Sequence, residues 1–204
     1  FNLRYLSAFS SDYSRLARYQ TTFSLSGEGR GIKKLRKSEV KSEKGIRIEC
    51  VGKGCEELWL PESEGFNEGL AFGGDYIAAS NRATNTIKVW NATTGQFIKS
   101  IPGHSGQLRF SPNGKVLFSS GWDRQVKAFD FESGKELYCF IGIKGSRDYV
   151  IMLPNGYYTA SRRNSKAVAF AKGKRAYPFE QFDLFFNRPD SLVTLFGESC
   201  KQIL

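Results

Sequence analysis

The chain has 204 residues, 40% of them hydrophobic and 25% charged, which is ample for one globular domain and marginal for two. An aromatic content of 14% and 21 glycines favour an all-β protein with many tight turns. The formal net charge of +10 favours an anionic partner such as a nucleic acid or an acidic protein, although basic soluble proteins without such a partner are common. No apolar run approaches the roughly 18 residues of a membrane span, so a membrane is not an expected partner.

The four cysteines do not form a metal-binding pattern. Cys50 and Cys55 are close in sequence but lack a second pair of Cys or His ligands, so no zinc site and no cofactor are expected. Cys139 alternates with two aromatic residues in a predicted strand and is expected to be buried, and Cys200 lies far from the others. A reduced, cytoplasmic setting is the default for such a chain.

Residues 1–62 lack the regularity of the rest, and we expect a divergent N-terminal segment or an irregular sheet there. Asp12 to Tyr19 follows two serines that can cap a helix, which predicts a short helix. Thr21 to Ser26 and Gly45 to Val51 alternate as strands, and Cys55 to Leu60 is the expected partner of the second strand.

Arg30 to Arg47 is the most basic stretch of the chain, with eight Lys or Arg against two Glu. The simpler interpretation is a solvated loop between strands. The alternative is an arm that contacts phosphate or acidic groups through Lys33, Lys34, Arg36 and Lys37. This arm has no aromatic side chains to stack on bases, which disfavours binding of single-stranded nucleic acid.

Residues 102–142 read as four short strands separated by turns. The predicted strands are Gln107 to Phe110, Lys115 to Ser119, Gln125 to Asp130 and Glu136 to Ile141. The first turn, Ser111-Pro112-Asn113-Gly114, joins a Pro that presets φ to an Asn-Gly pair that tolerates positive φ. Short strands with a turn about every 8 to 12 residues are typical of all-β proteins.

The same pattern recurs with a period near 40 residues. Trp90, Phe129 and Phe170 mark corresponding strands at intervals of 39 and 41, and Gly95 and Gly134 are 39 apart. Four strands repeated at this period predict propeller blades, because one such sheet buries both faces only by stacking on its neighbours.

The predicted fold is therefore all-β, a partial β-propeller with blades of four antiparallel strands. The propeller region is expected over 63–182, with blades at about 65–101, 102–142 and 143–182. Propellers close with roughly 4 to 8 blades. A chain with three visible repeats that starts at Phe1 is expected to be a fragment, a processed product or a half that another chain completes.

Four motifs within 102–142 together resemble one WD repeat. They are Gly103-His104, Phe110 to Lys115, Ser119 to Asp123 and Val126 to Asp130. The preceding repeat, Gly65 to Ile101, resembles a second copy. The resemblance implies a protein-binding propeller.

The WD resemblance also implies a hydrogen-bonded set of His, Ser or Thr, Asp and Trp in each blade. His104, Ser119 and Asp123 match three of these positions, and Trp90 matches the Trp of the preceding repeat. Phe129 stands where the better repeat would have its Trp. A Ser, a His and an Asp also allow a catalytic triad, but the regular repeat around them favours a structural role, so no enzyme activity is expected.

The tail carries a narrower resemblance. Asp148 to Ser161, Ala176 to Phe182 and Asn187 to Asp190 are similar to the propeller end of bacterial WD-repeat proteins that also carry a caspase-like peptidase domain. This resemblance implies that the chain is a sensor or scaffold part of a larger effector protein. None of its four cysteines has the setting of that peptidase's nucleophile, so the chemistry would lie elsewhere in the parent protein.

Residues 183–204 are expected to form a helical C-terminal extension. Phe179, Phe182, Phe185 and Phe186 have helical spacing, and Pro189 favours the start of a further helix. Packing of the phenylalanines on the propeller is the simpler interpretation, and docking of a following domain is the alternative.

The expected function is non-catalytic protein–protein interaction, with a separate partner or an adjacent effector domain. The alternative is binding of a nucleic acid or other polyanion through the basic arm. Divergent turns supply further expected contacts, which are Arg162, Arg163, Lys166, Lys172, Lys174 and Arg175.

Overall fold

The computed structural model describes residues 7–10, 15–25, 40–50, 57–61, 63, 65, 68–102, 104, 106–161, 169–178 and 181–195. The described residues lie mostly in antiparallel strands, with two short helices near the end of the chain, which confirms the predicted all-β class. The chain divides into two compact units, Phe1–Ser105 and Gly106–Leu204.

The first unit begins with a four-stranded antiparallel sheet in the order β1-β2-β3-β4. Its strands are β1 (Ser7–Phe9), β2 (Arg15–Leu25), β3 (Val40–Cys50) and β4 (Leu58–Trp59). The long pair β2–β3 runs continuously from Arg15 opposite Cys50 to Leu25 opposite Val40.

Two sequence predictions for this sheet need correction. The helix predicted over Asp12 to Tyr19 is wrong, because Arg15 to Tyr19 lie in β2 and pair along their length with β3. The loop predicted over the basic arm is wrong for its last part, because β3 already begins at Val40. Lys33, Lys34, Arg36 and Lys37 lie outside the described residues.

A second four-stranded antiparallel sheet follows in the first unit, in the order β5-β6-β7-β8. Its strands are β5 (Gly69–Gly73), β6 (Tyr76–Asn81), β7 (Thr86–Asn91) and β8 (Phe97–Pro102). Ala17, Ile46 and Ile48 of the first sheet form one buried cluster with Ile77 and Trp90 of the second. Two sheets thus share one apolar core, as the stacking argument requires.

The second unit contains a six-stranded antiparallel sheet in the order β14-β13-β12-β11-β10-β9. Its strands are β9 (Gln107–Phe110), β10 (Val116–Ser120), β11 (Gln125–Asp130), β12 (Glu136–Gly142), β13 (Tyr149–Met152) and β14 (Tyr158–Ala160). The four strands predicted within 102–142 are all present, to within one residue at each end.

The repeat expected over 143–182 does not form a sheet of its own. β13 and β14 extend the preceding sheet, because the short connection 143–148 folds β13 back onto β12 as a direct antiparallel partner. The remaining strands, β15 (Ala169–Lys172) and β16 (Arg175–Pro178), form a separate two-stranded hairpin.

The turns repeat with the period seen in the sequence. Oδ1 of Asn91 accepts hydrogen bonds from the backbone N–H groups two and three residues on, and Oδ1 of Asp130 accepts one from the N–H three residues on. The following Gly95 and Gly134 both have φ of +71° and donate their N–H to the carbonyl oxygen of that Asn91 or Asp130. The two repeats therefore share turn chemistry as well as strand spacing.

The corresponding aromatic positions are also equivalent. Trp90 is fully buried and Phe129 is 2% exposed. The strand register shifts just before each of them, in β7–β8 and in β11–β12. The Phe therefore fills the position that the Trp occupies in the earlier repeat.

The end of the described chain is helical, with α1 (Asp183–Phe186) followed by a helix over 189–195. Phe182 and Phe186 pack on Phe170 of β15, with ring centroids 5.5 and 5.2 Å apart. Phe185 is 71% exposed, since adjacent residues project about 100° apart around a helix. The expected packing therefore holds for Phe182 and Phe186 and is wrong for Phe185; Phe179 lies outside the described residues.

Candidate interaction surface

The residues expected to tie the blades together are buried, with the exception of Asp123. Trp90 in β7 donates its indole N–H to the carbonyl oxygen of Pro61 at 3.0 Å. Ser119 in β10 is fully buried, and His104, just after β8, is 4% exposed. Asp123 is exposed in the turn before β11, where its Oδ1 accepts the backbone N–H of Gln125 at 3.0 Å.

The hydrogen-bonded network expected among these residues stays a prediction. The Oγ atom of Ser119 is buried and has no hydrogen-bond partner within the described part of the chain. Ser119 and Asp123, which belong to the same unit, are therefore not bonded to each other. Because Ser119 has no exposed surface, a substrate could not reach its Oγ in this conformation, and the triad alternative gains no support.

One end of the six-stranded sheet brings two exposed connections side by side. Gln125 pairs with Ile141, and Gly142 pairs with Tyr149, so the turn 121–124 and the connection 143–148 leave the sheet at the same end. They are separated by about two strand spacings, or about 10 Å.

These connections and the first residue of β13 carry two exposed aromatic and three exposed basic side chains. Trp122 is 69% exposed and Tyr149 is 37% exposed. Arg124, Lys144 and Arg147 are also exposed, and none makes an ion pair with a described residue. We call these five residues the Trp122 surface. Trp, Tyr and Arg are the residues that most often dominate the energy of protein–protein interfaces.

The surface rests on a well-defined framework. The N–H of Gly121 donates to the carbonyl oxygen of Gln125 at 3.0 Å and closes the turn that carries Trp122. The ring of Tyr149 stacks on Phe140 at 5.6 Å with an interplanar angle of 22°. Trp122 is therefore carried by a hydrogen-bonded turn and Tyr149 by a paired strand, which lowers the entropy lost when a partner binds.

Arg124 holds a backbone conformation that side chains rarely adopt. Its φ is +65°, in the left-handed region that disfavours a Cβ atom by about 1 kcal/mol or more. The equivalent position 39 residues earlier is Asn85, with φ of +51°, and Asn tolerates this region better than Arg. The turn thus imposes a left-handed conformation at this position in both repeats, and Arg124 carries a larger penalty there than an Asn would.

The other basic residues expected to bind a partner are only partly described. Lys172, Lys174 and Arg175 are exposed on the β15–β16 hairpin. Arg162, Arg163 and Lys166 lie outside the described residues, as do Lys33, Lys34, Arg36 and Lys37 of the arm.

Sequence reasoning did not single out the Trp122 surface. Trp122 belongs to the repeat motif Ser119 to Asp123 and Tyr149 to the tail segment Asp148 to Ser161, and neither is among the predicted contacts. The informative feature was the position of Trp122 between Gly121 and Asp123, because a turn displays its residues whereas a strand buries alternate ones.

Within the described ranges, no group of three or more His, Cys, Asp or Glu residues could hold a metal ion. In the same ranges, no helix has the length and apolar character needed to cross a membrane.

Comparison with known proteins identifies a WD repeat in the chain. Residues 95–130 match the family described as WD domain, G-beta repeat. This range contains the first three strands of the six-stranded sheet and the whole turn that carries Trp122.

Curated relatives share this repeat character over part of the chain. Nuclear distribution protein PAC1 of Coccidioides posadasii is 34% identical over 93 residues, which cover 44% of this chain and 20% of that protein. Periodic tryptophan protein 2 homolog of Neurospora crassa is 37% identical over 57 residues, covering 26% of this chain and 6% of that protein. WD repeat-containing protein 36 of Homo sapiens is 30% identical over 79 residues, which cover 37% of this chain and 9% of that protein.

The chain spans a fifth or less of the length of these three relatives. The matched repeat and the relatives support the WD-repeat character of the chain and indicate no enzymatic family. These relatives are eukaryotic, so they do not support the bacterial caspase-like setting expected from the tail.

Proposed function

We propose that this chain is a non-catalytic protein-interaction module and that the Trp122 surface is its binding site. The observation that carries the proposal is Trp122, a large aromatic side chain that is 69% exposed on a closed turn between paired strands. Burying such a side chain in a partner removes much apolar area from water, and truncated interface tryptophans are often among the most costly changes.

The neighbouring charges fit the rim of such an interface. Arg124, Lys144 and Arg147 are exposed on the same two connections, at the end of the sheet that carries Trp122 and Tyr149. Rim charges mainly raise the rate and specificity of association, whereas the aromatic centre supplies affinity.

Site-specific photo-crosslinking tests this proposal. A benzophenone amino acid replaces Trp122 in cells that produce the protein, and a matched probe replaces Asn113, which is exposed in a turn at the opposite end of the same sheet. We expect a discrete protein adduct from position 122 and none from position 113. Identical adduct patterns, or none at either position, would refute the proposed site.

The alternative function is polyanion binding through the basic arm 30–47. The net charge of +10 supports it, and the Lys and Arg residues of β3 and of the β15–β16 hairpin add to the positive charge. Substitution of Lys33, Lys34, Arg36 and Lys37 by Glu should then abolish binding to heparin or double-stranded DNA and flatten its salt dependence. Unchanged binding would exclude the arm as the site.

The place of the chain in a larger caspase-like effector, in the cytoplasm, remains a proposal that the tail resemblance alone supports. The relatives' names mention no peptidase. The intact mass of the protein from its native source tests this idea, since a species much larger than 22.9 kDa would contain further domains to identify.

A further inference from the structure

The β15–β16 hairpin concentrates positive charge at its tip. Lys172 is directly opposite Arg175, and the two-residue turn between them is Gly173-Lys174, with φ of +63° at Gly173. Opposed residues of an antiparallel pair lie about 5 Å apart and project from the same face. Three cationic side chains are therefore held within one turn.

This arrangement is unfavourable for the isolated hairpin. Like charges directly opposite each other weaken a strand pair. Residues 169–178 contain no Asp or Glu, and none of Lys172, Lys174 and Arg175 makes an ion pair with a described residue. The described part of the chain therefore supplies no counter-charge for this repulsion, which an acidic ligand would relieve.

The base of the hairpin is well anchored. Phe170 packs on Phe182 and Phe186, and the ring of Tyr177 meets Phe182 at 5.7 Å. Because Phe170 and Tyr177 are themselves opposite each other, this aromatic base fixes the direction in which the tip extends. The three cationic side chains of the tip are therefore held in place by the aromatic packing at the base of the hairpin.

We propose that the hairpin tip binds an acidic segment of a protein partner. Three cations within one turn match one or two carboxylates, whereas a nucleic-acid site usually follows the backbone over several phosphates. The aromatic rings of the hairpin, Phe170 and Tyr177, pack against Phe182 and so are not available to stack on bases. The inference extends the proposed protein-interaction function to a second surface, and its test does not involve Trp122.

The test compares two variants of equal charge. In the tip variant Lys172, Lys174 and Arg175 are replaced by Gln. In the control variant Lys115, Lys135 and Arg109, which are also exposed, are replaced by Gln. Fluorescence anisotropy at low salt measures the binding of a labelled glutamate-rich peptide and of a labelled single-stranded oligonucleotide of similar length.

We expect the wild-type chain to bind the peptide, the tip variant to bind it about fivefold to tenfold more weakly, and the control to change by less than about twofold. Equal weakening of both variants, or no binding by the wild type, would overturn the proposal. Loss of oligonucleotide binding with unchanged peptide binding in the tip variant would assign the tip to nucleic acid instead. A Trp122→Ala chain should bind the peptide as the wild type does. The proposal for the hairpin tip can therefore be refuted without refuting the proposal for the Trp122 surface, and the reverse also holds.

Discussion

The indole nitrogen of Trp90 donates a hydrogen bond to the carbonyl oxygen of Pro61, 3.0 Å away, and so ties the connector after β4 to the second sheet. The same connector is held from the other side by Ser63, whose Oγ donates to the carbonyl oxygen of Leu60 at 2.7 Å and accepts the N–H of Ile46 at 2.8 Å. Polar contacts at the border of the apolar core thus join the two sheets of the first unit.

Replacement of Trp90 by Phe should lower the free energy of unfolding by about 1–3 kcal/mol. The change leaves the Pro61 carbonyl oxygen without this donor and removes part of a fully buried ring. Urea unfolding followed by circular dichroism measures the effect. Trp59→Phe is the matched control, because Trp59 is 40% exposed and should cost much less. Equal losses of stability in the two variants would show that the hydrogen bond from Trp90 to Pro61 does not contribute to stability.

Two buried serines of the second unit allow the predicted blade network to be tested. Ser111 has two partners, since its hydroxyl donates to Oδ1 of Asn113 at 2.7 Å and accepts the N–H of Val116 at 2.9 Å. Ser119 is fully buried, and its Oγ has no partner among the described residues. The same substitution at the two positions should therefore have opposite consequences.

Ser111→Ala should cost about 1–2 kcal/mol, and Ser119→Ala should be neutral or slightly stabilising, because it removes a buried hydroxyl that is not hydrogen-bonded. Thermal or urea unfolding of both variants measures the difference. A cost of about 1–3 kcal/mol for Ser119→Ala would instead establish that Ser119 takes part in the network that the sequence suggests.

Arg124→Gly separates stability from binding. Gly adopts φ of +65° without a Cβ penalty, so the variant should be as stable as the wild type or up to about 1 kcal/mol more stable. The guanidinium group is lost from the Trp122 surface, so crosslinking or binding of a partner there should weaken. A clear loss of stability would show that the Arg124 side chain supports the fold. A binding role would then not be needed to explain why an Arg occupies this position.

The strands of the second unit were predictable because their ends are set by local chemistry. Ser111 to Gly114 and the turn from Asp130 to Gly134 contain residues whose side chains and φ angles specify a turn without help from distant parts of the chain. The β9–β12 strands follow from those turns almost to the residue. Local signals of this kind are what a sequence displays most clearly.

Long-range pairing was not predictable in the same way. Leu16 and Tyr19 have helical spacing, but the backbone of β2 pairs with β3 along eleven residues, and this non-local pairing outweighs local preference. The attachment of β13 to β12 likewise depends on the three-dimensional path of residues 143–148. The placement of the Trp122 turn beside Tyr149 follows from the register of β11, β12 and β13, which residue type alone does not reveal.

The contact between Tyr158 and Asp183 predicts a loss of stability at alkaline pH. The hydroxyl of Tyr158 donates a hydrogen bond to the Asp183 carboxylate and joins β14 to α1. Burial, with a further contribution from Asp183, raises the pKa of Tyr158 well above the value of about 10 that it has in the unfolded chain. Above about pH 10 the unfolded chain therefore releases this proton while the folded protein retains it, and stability falls as the pH rises.

The Tyr158→Phe variant should lose most of this alkaline slope. Its free energy of unfolding should be lower than that of the wild type near neutral pH by about 1 kcal/mol, because the Asp183 carboxylate loses a donor, and the two curves should converge as the pH rises above about 10. Tyr138, whose pKa is also raised by burial, supplies a remaining slope in both proteins. Thermal unfolding at intervals from pH 8 to about 11 measures both curves. Parallel curves would show that Tyr158 ionises alike in the folded and unfolded states, and that its bond to Asp183 does not hold α1 on the sheet.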